Sequence, residues 1–349
     1  MKTLILPVAG ESSRFPKIRP KFLLTHPSGN TVLTEAIRGL NLKEFDKIVI
    51  IGLKEHQNKY GYVDNLKEEL KDSYCDVEFF LLKNKTKNQP ETVFKYLKEA
   101  NIKGEIVIKD CDNYFELDEC RGNFIGTYKL NNLKEVNAGN KSYIKFGKSG
   151  EIVNIVEKNI ISNEFCCGVY GFQEASDFIK VYDRLKTLDN LYISHIIYQM
   201  ILDGGVFFAK ETKNYVDWGT LEDWQKFTSQ YITLFLDIDG VLLENSGKIC
   251  NPKWGTTKGI KENIELINKL YNSGKYFIVL TTTRTDNGFV EEELVSHLKK
   301  AGLRNWNRLV MGLPHSKRIL INDYSNTNTY PTAISINLER NKGDLNGIL

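Results

Sequence analysis

Short apolar runs alternate along the chain with longer segments in which apolar residues recur every three or four positions. The runs at residues 3–8, 47–52, 77–82, 105–109, 169–172 and 206–209 predict strands, the first of them buried. The segments 65–71, 91–99, 175–185 and 193–202 predict amphipathic helices. Strand–helix alternation predicts an α/β fold with a mostly parallel sheet. At Ile232 the pattern restarts. An apolar strand at 232–236 runs into Asp237, followed by a helix at 261–271, a strand at 276–280, a helix at 291–300 and a strand at 319–321. The restart follows a helix predicted at 221–230 and divides the chain into two domains, 1–230 and 231–349. No Pro/Gly/Ser-rich linker separates them.

Composition narrows the class. The 349 residues are 41% hydrophobic and 26% charged, which excludes a disordered chain. The 47 Lys+Arg and 44 Asp+Glu leave a net charge of only +3, too balanced for a nucleic-acid or membrane-surface partner. No stretch is apolar enough to span a bilayer. The N-terminal apolar run at 4–9 is short and leads into Gly10-Glu11-Ser12-Ser13-Arg14 with no clear cleavage site, so it reads as a first strand rather than a signal peptide. The six cysteines, Cys75, Cys111, Cys120, Cys166, Cys167 and Cys250, contain no C-x-x-C pair, and the vicinal Cys166-Cys167 is poor disulfide geometry. Buried free thiols in a reducing cytoplasm are expected, without zinc.

The chemistry-bearing residues cluster after predicted strands. The first strand ends in Pro7, Val8, Ala9 and Gly10, and then Glu11, Ser12, Ser13 and Arg14, with Pro20-Lys21 beyond. A small-residue loop there brings backbone N–H groups close to phosphates, and Arg14 and Lys21 add cations suited to triphosphate oxygens. Taken alone, such a loop is equally a surface turn with two solvated bases. Asp110 and Asp112 follow the strand at 105–109 and are hard oxygen ligands. Other candidates have plain structural roles when taken singly. Gln89-Pro90 suits a helix start, Asp217 a helix N-cap, and Glu157-Lys158 a solvated pair.

Their order is what carries meaning. The loop with Arg14 and Pro20-Lys21 resembles the G-x-x-x-R…P-K signature of the sugar-phosphate nucleotidyltransferases. Gln89 and Thr92, Asp110 and Asp112, Glu157-Lys158, and Asp217 in Val216-Asp217-Trp218-Gly219-Thr220 match that family's later motifs in register, over about residues 1–230. The resemblance implies a Rossmann-like domain that transfers a nucleotidyl group to a sugar or polyol phosphate. It implies that the loop, Gln89 and Thr92 bind the nucleotide, and that Asp112 and Asp217 hold Mg²⁺. Asp110 is a second candidate metal ligand. The resemblance also implies that Lys158 grips the acceptor phosphate, beside Glu157, Gly168 and Tyr192. The short domain resembles compact cytidylyltransferase-like members that serve bacterial surface-polysaccharide assembly, which favours CTP. The expected partners are a nucleoside triphosphate and the acceptor phosphate, with no nucleic acid and no membrane insertion; a homo-oligomer is compatible with this reading.

The second domain shows its own pattern. Leu236-Asp237-Ile238-Asp239-Gly240-Val241 resembles the D-x-D-G-[TV] signature of the haloacid dehalogenase superfamily, over about residues 232–340. The resemblance implies an uncapped Rossmann-like phosphatase. Asp237 is its nucleophile, Asp239 its acid/base, Thr282 and Lys317 hold the phosphoryl group, and Asp323 binds Mg²⁺ with Asp237 and Asp239. The sequence departs from the pattern at Asn322-Asp323, where one acid stands in place of the usual two. The alternative is a second domain that binds or supports rather than hydrolyses.

Overall fold

β1 (Lys2–Pro7) is almost wholly buried because its alternating side chains serve both faces of a sheet. Leu4 and Leu6 enter one apolar layer and Ile5 the other. The structure is a computed structural model that describes the chain except residues 11–14, 16–17, 74, 134–137, 285–290 and 323–332. It forms two compact units, Met1–Trp224 and Gln225–Leu349.

In the first unit β1 is followed by α1 (Val32–Ile37), β2 (Lys47–Leu53), α2 (Lys54–Tyr60), α3 (Tyr62–Glu69), β3 (Asp76–Leu82), α4 (Gln89–Glu99) and β4 (Glu105–Lys109). Next come β5 (Asn113–Glu116), β6 (Phe124–Lys129), β7 (Ser142–Phe146), β8 (Ile152–Glu157) and β9 (Glu164–Phe172). The unit ends with α5 (Ala175–Leu185), α6 (Ile193–Leu202), β10 (Phe208–Glu211), β11 (Lys213–Asp217) and the start of α7 (Leu221–Thr228).

The main sheet runs β10-β6-β9-β4-β1-β2-β3. β4, β1, β2 and β3 are parallel neighbours, whereas β9 is antiparallel to both β4 and β6. The β7–β8 hairpin joins β9 where Tyr143 opposes Phe165. β5 and β11 form a separate antiparallel ribbon in which Asn113 opposes Asp217. The sheet is therefore mixed. Of the expected strands, β1 to β4 are parallel neighbours, 169–172 falls in the antiparallel β9 and 206–209 overlaps β10, which pairs parallel to β6; β5 to β8 and β11 were not anticipated.

Helices α4, α5 and α6 pack on one face around Val93, Tyr96, Phe178 and Ile197. α1 and α3 cover the other around Leu33, Ile37 and Leu66. Because β1 has β2 on one side and β4 on the other, their boundary is a topological switch point. In open α/β sheets, ligands bind beyond the carboxyl ends of the strands at such a point.

The second unit holds three parallel strands in the order β12 (Ile232–Asp237), β13 (Tyr276–Thr281) and β14 (Arg308–Val310). α8 (Lys261–Asn272) and α9 (Glu291–Lys300) connect them. Its core gathers Leu236, Ile238, Leu242, Ile264, Ile278, Leu280, Leu294 and Leu298. The strand expected at 319–321 is absent: Ile319, Leu320 and Ile321 are exposed, and β14 takes the third place in the sheet. Apolar content predicted that strand, but a strand also needs a neighbour to pair with. The expectation of buried thiols is corrected too. All six cysteines are free, but only Cys120, Cys166 and Cys167 are buried, and Cys250 is exposed. Among the described residues no helix is long and apolar enough to cross a membrane.

Candidate functional site

The carboxyl end of β4 delivers Asp110 and Asp112, and a buried lysine shapes the turn between them. Lys109 is fully buried, and its Nζ donates to the carbonyls of Asp110 (2.5 Å) and Asn113 (3.3 Å) and to Asn113 Oδ1 (2.7 Å). The ammonium also lies 4.4 Å from the centre of the Phe115 ring. Burial lowers the Lys109 pKa, opposed by nearby Cys111, Asp110 and Asp112. The chain bends here, so Asp110 and Asp112, two residues apart, meet different surroundings.

Asp110 turns inward. Its backbone N–H donates to Gly168 O at 2.7 Å, and its Oδ1 accepts from Gln89 Nε2 at 2.5 Å. Desolvation, reinforced by the charge of Asp112, pushes its pKa up to about 6. Gly168 makes this packing feasible. Its φ is +82°, and a Cβ there would stand 2.5 Å from Asp110 Oδ2. Asp112 is half-buried, and its Oδ2 accepts from Lys21 Nζ at 2.9 Å. Lys21 Nζ also reaches Gly219 O at 3.4 Å and lies 5.3 Å from the Phe15 ring centre.

The β5–β11 ribbon brings Asp217 to the same place. Trp218 N donates to Asp112 O at 2.8 Å, which continues the ladder past Asp217. Asp217 Oδ1 accepts from Gly219 N at 2.9 Å, and Oδ2 is ion-paired with Lys141. Lys141 Nζ also donates to Tyr215 OH at 2.7 Å. Asp112 and Asp217 therefore each carry one lysine, drawn from distant parts of the sequence.

A second group lies at the end of the β7–β8 hairpin. Glu157 Oε1 accepts from the hydroxyls of Ser142 (2.7 Å) and Ser194. Lys158 has φ +56°, a left-handed conformation uncommon for a side-chain-bearing residue, and its backbone N–H donates to Lys141 O at 2.9 Å. Its Nζ donates to Tyr192 OH at 2.9 Å. Tyr192 N in turn donates to His195 Nδ1 at 3.2 Å, which fixes the first turn of α6.

The remaining expected nucleotide contacts are dispersed. Pro7 ends β1, Ala9 is buried and Gly10 is exposed. Glu11, Ser12, Ser13 and Arg14 lie outside the described residues. Gln89 opens α4 and is tied to Asp110, whereas Thr92 is buried, its hydroxyl 2.5 Å from Thr86 Oγ1 and 3.2 Å from Asn88 O. Two lysines escaped sequence reasoning as site residues. Lys109 was read as the end of a strand, and its signal was a lone charge closing an apolar run. Lys141 lies just before a short strand that the sequence did not predict, and nothing local marks it.

These carboxylates suit a hard cation. The donors are all oxygen, and each carboxylate already holds a positive ammonium. Among the described residues no three acidic, histidine or cysteine side chains converge on one point. Two carboxylates, with phosphate and water completing the shell, is the arrangement Mg²⁺ favours.

In the second unit β12 and β13 bring Asp237, Asp239 and Thr282 together. Thr282 Oγ1 lies 3.4 Å from Asp239 Oδ2. Asp239 is gripped by Arg284, whose Nη2 and Nε lie 2.5 and 3.0 Å from its two oxygens. Ser246 Oγ adds a bond of 3.1 Å. Arg284 is fully buried and was not foreseen. Arg318, not Lys317, reaches Asp237, at 3.1 Å; Lys317 is exposed. Burial raises the Asp237 pKa, with Arg318 opposing. Asp323 lies outside the described residues.

No protein-family model matches the chain, and no curated protein matches it in sequence. Solved structures do resemble it. A nucleoside-diphosphate-sugar pyrophosphorylase from Vibrio cholerae RC9 superposes with a TM-score of 0.54 at 18% identity, over 64% of this chain and 98% of that one. A UDP-glucose pyrophosphorylase in its apo form gives 0.51 at 14% identity, over 64% and 95%. One complexed with UDP-glucose gives 0.50 at 14%, over 64% and 96%. About two thirds of the chain therefore has the nucleotide-sugar pyrophosphorylase fold. These likenesses do not extend to the rest of the chain.

Proposed function

We propose that the first unit is a sugar-phosphate nucleotidyltransferase. The observation that carries this reading is the placement of Asp112 and Asp217 at one end of the β5–β11 ribbon, just past the carboxyl end of β4, where Asn113 opposes Asp217 and Trp218 N donates to Asp112 O, each carboxylate with a lysine on it. In the proposed reaction an oxygen of the acceptor phosphate attacks the α-phosphorus of a nucleoside triphosphate. The bond between the α-phosphorus and its bridging oxygen breaks, and pyrophosphate leaves with that electron pair. No general base is required, because the attacking phosphate is already anionic; alignment and charge neutralisation supply the catalysis. Asp112 and Asp217 would hold Mg²⁺, which neutralises phosphate charge when bound. Lys21 steadies the triphosphate and the departing pyrophosphate, with Arg14 assigned the same task by its motif. Lys158 grips the acceptor phosphate, and Glu157, oriented by Ser142 and Ser194, accepts from an acceptor hydroxyl. CTP as donor, a sugar or polyol phosphate as acceptor, and a cytoplasmic role in surface-polysaccharide assembly complete the reading. The test is pyrophosphate release with each nucleoside triphosphate, Mg²⁺ and a panel of sugar and polyol phosphates. No release from any pair would sink the claim.

For the second unit we infer phosphate-ester hydrolysis through Asp237, with Thr282 holding the phosphoryl oxygens and Asp239 protonating the leaving alcohol. A second reading, a binding or structural module, is favoured by one observation: Arg284 clamps both oxygens of Asp239, which commits them to a buried guanidinium rather than to a leaving alcohol. Hydrolysis of an aryl phosphate at high Mg²⁺, abolished by Asp237→Ala, supports the phosphatase. No hydrolysis by the intact chain supports the module.

A further inference from the structure

The reaction as drawn gives Lys141 no task, yet its surroundings are specific. It immediately precedes β7, and its carbonyl accepts from Lys158 N, so both lysines leave the same end of the β7–β8 hairpin. Its side chain is 14% exposed. The Nζ is bracketed by Asp217 Oδ2 and Tyr215 OH, and the rings of Tyr215 and Phe165 are centred 5.2 and 5.7 Å away. Asp217 Oδ1 is fixed by the Gly219 N–H. Asp217 thus has one oxygen held by the Gly219 backbone N–H and one held by an ammonium on a flexible four-carbon stem.

We propose that Lys141 is a displaceable counterion: it occupies Asp217 in the absence of divalent metal, is expelled when the metal binds, and then joins Lys158 on the acceptor phosphate. This rests on the reading of Asp112 and Asp217 as metal ligands. An ammonium and a divalent cation repel one another at a shared carboxylate oxygen, so binding of one must release the other. The hairpin keeps the released ammonium tethered beside Lys158. Metal binding and phosphate binding therefore reinforce each other, and linkage makes the coupling reciprocal. In the absence of substrate the lysine holds metal affinity down, so the complete cation set assembles only when both are present.

The test is Mn²⁺ binding to the full chain without nucleotide or acceptor, followed by the electron paramagnetic resonance signal of free Mn²⁺. Lys141→Met and Lys141→Gln should each tighten Mn²⁺ binding roughly five- to tenfold, in the range of ordinary coupling between sites. Lys141→Arg, which keeps the charge, should bind as the unmodified protein does. Inorganic phosphate should strengthen Mn²⁺ binding to the unmodified protein and not to Lys141→Met. Unchanged or weaker Mn²⁺ binding in both neutral variants overturns the proposal. So does a phosphate-independent Mn²⁺ affinity in the unmodified protein, a measurement that needs no variant to fold. Asp217→Asn separates this from the reading beneath it. If it binds Mn²⁺ as tightly as the unmodified protein, the metal reading falls and the lysine's role falls with it. If it loses Mn²⁺ while Lys141→Met gains nothing, only the lysine's role is overturned.

Discussion

Lys109 Nζ donates to Asn113 Oδ1 at 2.7 Å from a side chain with no solvent exposure, and this bond closes the turn that presents Asp112. Lys109→Met keeps the volume and removes the donors. Three buried oxygens lose a partner, but the cost of burying the ammonium disappears as well, so stability should fall by only about 1–2 kcal/mol. Pyrophosphate release should fall much further, about 100-fold, because a misplacement of about 1 Å at an aligned site costs that much. Urea unfolding beside a pyrophosphate assay checks both. Equal, small losses would mean that Lys109 is only a packing residue.

Gly168 and Asp110 set a steric limit on the same turn. In Gly168→Ala the new methyl would stand 2.5 Å from Asp110 Oδ2 with the backbone at φ +82°. A loss of about 1–3 kcal/mol from the backbone alone is expected, with further loss as Asp110 is displaced. Thermal unfolding of the variant should show it, and an unchanged midpoint would contradict the packing described here.

The Asp110 carboxyl gives a pH signature. Its pKa is raised in the folded chain to about 6 from an ordinary value of 3.8. Between those values the folded state binds more protons than the unfolded state, so stability falls as pH rises through the window and the loss is complete above it. Asp110→Asn removes the titration and retains an acceptor for Gln89. In metal-free buffer it should be more stable than the unmodified protein near pH 8, by about 1–3 kcal/mol, and about equal near pH 4. Thermal melts across pH decide this; a variant less stable near pH 8 would show that the ionised carboxylate is favoured where it stands.

Much of this architecture is legible in the sequence. β1, β2 and β4 announce themselves as apolar runs because parallel central strands are buried on both faces, and β3, the half-buried edge strand, shows an apolar run as well. α5 and α6 were bounded correctly at both ends. The strands that build the site were not legible. Asn113–Glu116 and Lys213–Asp217 are short and polar, and they become a ribbon only by pairing with each other across about a hundred residues of chain. The partners of the catalytic candidates were hidden for the same reason. Lys141 meets Asp217, Lys21 meets Asp112 and Arg284 meets Asp239 through tertiary contact, and no spacing encodes those meetings. The strand expected at 319–321 shows the reverse error, an apolar run without a sheet neighbour.

Arg284 offers a prediction for the second unit. Its guanidinium is fully buried and bonds both oxygens of Asp239. Arg284→Met leaves Asp239 enclosed without its cation, and removal of one partner of a buried pair costs about 3–5 kcal/mol. Amide hydrogen exchange should accelerate in β12 and β13, and Asp239→Asn in the same chain should restore part of the protection. Unchanged exchange would mean that the pair contributes nothing to the unit.

Whether the first unit moves an intact nucleotidyl group is read from the fate of the nucleotide's α-phosphorus. With α-labelled triphosphate, Mg²⁺ and a sugar or polyol phosphate acceptor, the label should appear in the acceptor product, in step with pyrophosphate. Asp112→Asn and Asp217→Asn should each reduce transfer about 100-fold or more. Label that stays in free nucleotide with every acceptor, while inorganic phosphate is released from the γ position, would mean that the first unit hydrolyses the triphosphate and transfers nothing.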